Sequence, residues 1–175
     1  MKQSLTCSLL EQQRVRVLSN AEFIGRSLLR SLNVNESKLR VSDTGCLRTE
    51  YKYGLQEIHS DFQEFKHASE CYVVIFYLVN TKSTAVADVK KDELDNIWKM
   101  NIKEAKSKLS SIQFLTERVD IGDTLIMNGK CFHYGVANPD TYQRFIGFLS
   151  FTPLSLPPFD SQDQSYPPGI HSYRT

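Results

Sequence analysis

The run Cys71-Tyr72-Val73-Val74-Ile75-Phe76-Tyr77-Leu78-Val79 sets the fold class. It is an almost unbroken series of β-branched and aromatic side chains, and it predicts the strongest strand in the chain. Working outward, most of its neighbours read the same way. Upstream, the period is two from Arg48: Glu50-Tyr51-Lys52-Tyr53 alternates, Gly54 breaks the run, and Leu55 to Phe62 gives a second extended stretch. Downstream lie shorter strands at Thr84 to Val89, Ile112 to Val119, Leu125 to Met127, Lys130 to Val136 and Arg144 to Phe151. Ile121-Gly122-Asp123-Thr124 and Asn138-Pro139-Asp140 supply turns.

Two stretches switch to helical spacing. Ser19-Asn20-Ala21-Glu22 has the form of a capping box, and Ile24, Leu28 and Leu32 follow on one face. A helix is therefore expected over about 20–33, with Asn33 to Gly45 as a polar connection behind it. Asp92 to Leu109 carries Leu94, Trp98, Ala105 and Leu109 among lysines and glutamates, and predicts one helix inserted between strands. Its charged outer face is that of a lid over a site. Residues 1–18 read as a short strand or irregular lead-in. The tail from Pro153 to Thr175 holds five of the six prolines and few large aliphatics, and is expected to lie on the surface or be disordered. Many short strands with one early and one inserted helix make a mainly β protein with flanking helices, an antiparallel sandwich or jelly roll.

Composition narrows the function classes. The 175 residues suffice for one domain with a real core. A formal charge of +1 gives no electrostatic case for nucleic acid or an anionic membrane surface. No apolar run approaches the ~20 residues of a bilayer span, and no secretory signal is seen. Cys7, Cys46, Cys71 and Cys131 are scattered without a CxxC pair, which fits a reducing, cytoplasmic setting.

The chemistry rests on four residues. His59 and Asp61 stand two apart on the predicted strand Leu55–Phe62, so their side chains share a face. A third ligand, His133, comes from another strand. Two imidazoles and one carboxylate occupy one face of an octahedral Fe(II) and leave the remaining positions open, as a catalytic site requires. Arg144 begins the strand after the Asn138-Pro139 turn, near His133 but deeper in the barrel. There its guanidinium forms a fixed fork for the far carboxylate of a chelating keto acid.

These residues carry a resemblance. His59-x-Asp61, Gly122-Asp123-Thr124-Leu125-Ile126, His133-Tyr134-Gly135-Val136-Ala137-Asn138 and Arg144 resemble the motifs of the 2-oxoglutarate/Fe(II) oxygenase superfamily, most closely its phytanoyl-CoA and prolyl-hydroxylase-like branches. The match covers about residues 48–152. It implies a double-stranded β-helix, a cupin-like jelly roll, within a domain of residues 1–152 followed by the tail 153–175. It also implies Fe(II) on His59, Asp61 and His133, 2-oxoglutarate on Arg144, and a cosubstrate hydrogen bond from Tyr51 or Tyr53. The expected activity is hydroxylation of a small molecule or protein side chain with release of succinate and CO₂. Two departures stand out: the chain is short for the superfamily, and Ile146 replaces the serine of the Arg-x-Ser pair found in some branches.

Other readings compete at particular residues. A jelly roll that binds without turnover would keep the same motifs, and the lysines between 90 and 108 leave room for a nucleic-acid dealkylase. Those lysines read more simply as a solvated helix face. Cys131 shares the parity of His133 but reads as a small buried hydrophobe, and Trp98 as a core or lid anchor. His67 and His171 read as surface histidines. Tyr72 and Tyr77 have opposite parity, so at most one faces the site. Neither the substrate's identity nor the oligomeric state follows from the residues.

Overall fold

The computed structural model describes residues 19–51, 54–62, 66–138, 142–156 and 170–174. Antiparallel pairing dominates. Five strands, β1 (Leu39–Thr49), β2 (Tyr72–Tyr77), β7 (Thr124–Asn128), β9 (Arg144–Pro153) and β10 (Ile170–Arg174), form one sheet in the order β10-β1-β9-β2-β7. β4 (Ala85–Ala87), β5 (Phe114–Leu115) and β8 (His133–Tyr134) form a second in the order β5-β4-β8. β3 (Thr81–Lys82) pairs with β6 (Arg118–Val119) in a small ribbon.

The strand predicted at 71–79 is β2, at the interior of the large sheet. It pairs with β9 through Val73–Ser150, Ile75–Phe148 and Tyr77–Ile146, and with β7 through Val73–Met127 and Ile75–Leu125. Partners directly opposite share a face, so the sheet has an inner face bearing Val73, Ile75, Tyr77, Met127, Ile146 and Arg144. Val86, Val119 and Cys131 from the smaller strands pack against the same buried cluster. The core between the two sheets is thus the jelly-roll interior, and both His133 and Arg144 border it.

The opposite face of the large sheet buries Val74, Leu149 and Phe151 against a helix, α1, at 19–31. The expected helix exists, but its contact face differs from the expected one. Ser19 is already helical, so it does not cap, and Ile24 and Leu32 are exposed. Gly25 and Leu29 are buried instead. A Cβ at Gly25 would stand 3.2 Å from the Phe151 ring, so the glycine lets helix and sheet approach closely.

Three other expectations are corrected. β1 occupies most of what reads as a polar connection at 33–45. Its Ser42, Asp43, Thr44 and Gly45 lack the apolar alternation of a strand, but β9 supplies partners to Asp43, Thr44 and Gly45 and β10 joins from Gly45 onward, with an irregularity between Val41 and Asp43. The stretch Leu55–Phe62 makes no strand of its own and touches the small sheet only through a bridge at His59. The end of the tail, read as surface or disorder, pairs as β10 with β1 from Gly45–Arg174 to Thr49–Ile170. The lead-in 1–18, the tip of the turn at 139–141 and the tail from 157 to 169 lie outside the described residues.

The insert is two helices, α2 (Lys91–Ile97) and α3 (Ile102–Ser110). Asn101 divides them. Its side chain accepts the backbone N–H groups of Lys103 and Glu104, both at 3.1 Å, while Glu104 returns a bond to the Asn101 N–H. That capping box competes with continuation of α2. The pair is not a loose cover. Ile97 and Leu109 are buried with Ala87 and Phe132, and Trp98 Nε1–H donates to the Lys130 carbonyl at 2.9 Å. Truncation of a buried aliphatic here should cost what it costs in any core, about 2–5 kcal/mol. Ile97→Ala should lower the urea-unfolding free energy by that amount, and a loss well under 1 kcal/mol would mean that the insert folds apart from the sheets.

Candidate metal centre

The site is assembled by backbone before side chains. His59 and His133 exchange both backbone hydrogen bonds, His59 N–H to the His133 carbonyl at 2.9 Å and the reverse at 2.8 Å. Three residues earlier, Gln56 N–H donates to the Gly135 carbonyl at 3.0 Å, and Gly135 N–H donates to the Gln56 Oε1 at 2.8 Å. Three steps on one segment thus oppose two on the other, a local bulge that turns the chain toward Asp61. A Cβ at Gly135 would lie 2.5 Å from Gln56 Oε1, so a larger residue there would push the Gln56 side chain off the Gly135 N–H.

Side chains then alternate. Ser60 is buried and donates from Oγ to the Gly129 carbonyl at 2.6 Å, and Phe62 is buried in the inner core. His59 and Asp61 project the other way, toward His133. Gly129 is equally confined: an added Cβ would meet the Ala68 carbonyl at 2.5 Å and Cys71 Cβ at 2.9 Å.

The result is a three-residue cluster. His59 Nε2 stands 3.7 Å from Asp61 Oδ1, and His133 Nε2 stands 3.6 Å from Asp61 Oδ2. The imidazole centroids are 4.5 Å apart and tilted by 55°. Two donors on one ion at about 2.1 Å each can be at most about 4.2 Å apart, so these separations admit a shared ion. Among the described residues, His59, Asp61 and His133 are the group whose donor atoms converge in this way. Each ring is also held by its other nitrogen. His59 Nδ1–H donates to the Glu57 carbonyl at 2.8 Å, and His133 Nδ1–H to the Cys131 carbonyl at 3.1 Å. A carbonyl only accepts, so the proton sits on Nδ1 and the Nε2 lone pair faces the cluster. Burial lowers the His133 pKa, with Asp61 opposing and His59 adding to the shift, which favours the neutral, ligating form.

The sequence-named residues divide as follows. His59, Asp61 and His133 come together. Arg144 is only 2% exposed and lies on the inner face of the large sheet, opposite Thr49 in register. It donates from Nη2 to the Thr49 Oγ1 at 3.3 Å. Tyr51 lies in an exposed turn rather than on a strand, before a Gly54 with φ of +93°, so the parity that would align it with His59 is lost. Tyr53 lies outside the described residues. Tyr77, which sequence reasoning left undecided against Tyr72, is the buried tyrosine beside Arg144. Its hydroxyl accepts the Thr84 N–H at 2.8 Å. Burial pushes its pKa up, while the Thr84 bond and the Arg144 charge act against that shift. Tyr77 stands opposite Ile146, two residues beyond Arg144 on β9, and its shared parity with Val73 and Ile75 was the signal in the sequence. Asn138, fully buried, donates to the Tyr142 carbonyl at 2.6 Å and to the Thr49 carbonyl at 3.4 Å.

No protein-family model and no curated protein matches the chain. Solved structures do. The non-haem α-ketoglutarate-dependent carbocyclase SnoK from nogalamycin biosynthesis matches with a TM-score of 0.53 at 13% identity, over 74% of this chain and 62% of that one. The non-haem α-ketoglutarate-dependent epimerase SnoN from the same biosynthesis gives 0.51 at 13% identity, over 66% of this chain and 47% of that one. HygX from Streptomyces hygroscopicus, solved with nickel and 2-oxoglutarate, gives 0.50 at 12% identity, over 79% and 69%. The chain thus spans about half to two thirds of the first two. At these identities the likeness is one of fold, and it is the jelly-roll class expected from the strands.

The loop geometry makes a stability prediction. Gly129→Ala should lower unfolding free energy by about 1–3 kcal/mol, because backbone rather than a movable side chain blocks the new methyl. Ser60→Ala should cost a similar 1–3 kcal/mol, roughly, by stranding the Gly129 carbonyl. Denaturant titration measures both, and unchanged midpoints would mean that the 59–62 loop is not held from this side.

Proposed function

We propose that this chain is a non-haem Fe(II)- and 2-oxoglutarate-dependent oxygenase, acting on a small molecule or a protein side chain. The observation that carries the reading is the convergence of two backbone-oriented imidazole Nε2 atoms and one carboxylate at the rim of a jelly roll whose interior holds a buried arginine. Two nitrogens and one carboxylate oxygen suit Fe(II), whereas a structural zinc site would call for thiolates and a fourth protein ligand. Iron and 2-oxoglutarate, when bound, supply the oxidising chemistry: O₂ is consumed, the keto acid leaves as succinate and CO₂, and one oxygen atom enters a substrate C–H bond.

The chain's own groups orient and select. The Glu57 and Cys131 carbonyls hold the two imidazoles in the ligating tautomer. Asp61, with its carboxylate facing both rings, contributes the negative charge that a divalent ion requires. Arg144 presents a planar fork that reads a carboxylate by shape as well as charge, and Thr49 steadies it. The hydrocarbon surroundings of Arg144, with Ile146 and Ile75 on the same sheet face, exclude water and strengthen that contact. The fold likeness to 2-oxoglutarate-dependent enzymes supports the general class. Hydroxylation, rather than cyclisation or epimerisation, is the simplest outcome for such a site.

Two substitutions test separate halves of the reading. Asp61→Ala should abolish Mn(II) binding and succinate formation while the fold persists, since Asp61 packs in no core cluster. Succinate production at the wild-type rate would remove the metal assignment. Arg144→Ala should weaken 2-oxoglutarate binding to the Mn(II)-loaded protein by roughly 30- to several-thousand-fold, the equivalent of about 2–5 kcal/mol, with metal affinity little changed. Arg144→Lys should recover part of that, because it keeps the charge and loses the fork. Calorimetry measures both variants, and equal keto-acid affinity in wild type and Arg144→Ala would leave an iron site without this cosubstrate.

A further inference from the structure

We propose that Asn138 is a positioning residue for the cosubstrate, a role that rests on the oxygenase reading: its carboxamide fixes the end of the β1–β9 ladder and, through Thr49, sets where the Arg144 guanidinium stands. Thr49 and Arg144 are the last register pair of that ladder, Thr49 closing β1 and Arg144 opening β9. Pairs at a strand end open readily unless a contact outside the ladder holds them. Beyond this pair, Gln143 Nε2 reaches the Glu50 carboxylate at 3.0 and 3.3 Å, an exposed contact for which water competes.

Asn138 supplies a buried tie. Its side chain is fully enclosed, and Nδ2 donates to the Tyr142 carbonyl at 2.6 Å and to the Thr49 carbonyl at 3.4 Å. Carbonyls only accept, so the amide nitrogen is the atom that faces them, and its two N–H groups match two acceptors. Thr49 therefore takes Asn138 at its carbonyl and Arg144 at its hydroxyl, the latter from Nη2 at 3.3 Å. Tyr142, the other acceptor, stands two residues before Arg144 in the chain. The amide thus grips the backbone of both segments that meet at the guanidinium. Aspartate would offer acceptors alone and serine a single donor. Burying an amide is unfavourable unless its donors are met, and here two backbone carbonyls meet them. Asn138 also follows His133 by five residues, so one segment carries a candidate metal ligand and the tie to Arg144. A keto acid held at both ends depends on that spacing. Oxalate, which chelates a metal through adjacent carboxylates and has no far carboxylate, does not.

Calorimetry on the full chain loaded with Mn(II), with 2-oxoglutarate and oxalate as probes, tests this. Asn138→Ser should weaken 2-oxoglutarate by about 10- to 100-fold, the range for groups that act through a ligand-holding residue. Mn(II) and oxalate affinities should not change. Asn138→Asp, with the same size and no donors, should show the same split. Thr49→Val removes the hydroxyl that Arg144 uses and should also weaken 2-oxoglutarate. Combined with Asn138→Ser, it should lose less than the product of the two separate losses, because both act on one guanidinium. Leu149→Ala, in the cluster on the opposite face of the large sheet, should lower the urea midpoint and leave 2-oxoglutarate affinity as it is. Equal 2-oxoglutarate affinity in wild type and Asn138→Ser would overturn the positioning role and leave the oxygenase reading standing. A parallel loss of oxalate or Mn(II) affinity, or losses that multiply in the double variant, would overturn it equally. A wild type that binds Mn(II) but no 2-oxoglutarate would remove the oxygenase reading and this role with it.

Discussion

The reciprocal backbone pair between His59 and His133 is the constraint on which the site depends. The segment from Leu55 to Phe62 has no strand of its own, so its position is set by this pair, by Gln56 against Gly135, and by Ser60 against Gly129. Each anchor lies on a backbone group of the opposing segment. The geometry of the candidate ligands is therefore decided before any of their side chains chooses a rotamer, and a metal held there would gain the benefit of orientation already established by folding. The glycine at 129 follows from the same constraint, because an added Cβ there would meet the Ala68 carbonyl, whereas at Gly135 it would meet only the Gln56 side chain.

Arg144 is the second constraint, and it acts through a different sheet. Its place at the start of β9, between β1 and β2, buries a permanent cation on the inner face. Removing such a charge from water is costly, and a carboxylate arriving beside it offsets that cost in a medium where the attraction is strong. The His59, Asp61 and His133 cluster and Arg144 thus border one core from different sides, with His133 on the small sheet and Arg144 on the large one. Their alignment depends on the Val73, Ile75, Met127 and Ile146 packing that sets the sheets apart. A loss in that core would disturb both groups without touching either.

The helices serve the same arrangement from outside. α1 closes the back of the large sheet through Gly25 and Leu29, and α2 and α3 close the small sheet through Ile97, Leu109 and Trp98. Trp98 reaches the carbonyl of Lys130, three residues before His133, so the insert braces the segment that leads into His133. This is a structural duty, and it accounts for the burial of residues that a freely swinging cover would leave exposed.

Where the chain's pattern is strong, sequence and structure agree. The β-branched run at 71–79, the glycine turn at 122 and the strand from Arg144 are legible because local preference and burial favour the same state at each position. The four polar residues are legible because few chemistries use that set in that order. What escaped was decided by distant partners. β1 looks like a linker because Ser42 to Gly45 have no strand pattern, yet β9 pairs along most of its length and β10 adds a second partner from Gly45 onward. α1 buries Gly25 rather than Ile24 because close approach to Phe151 favours the residue without a side chain. Tyr77 stands beside Arg144 because β2 pairs with β9, which sets Tyr77 opposite Ile146. By itself the sequence determined the fold class and the glycine turn at 122, and it singled out His59, Asp61, His133 and Arg144 as candidates. Only the tertiary structure decided which backbones pair across the core, and so which way those side chains point, because register between remote segments is a property of packing and not of local preference.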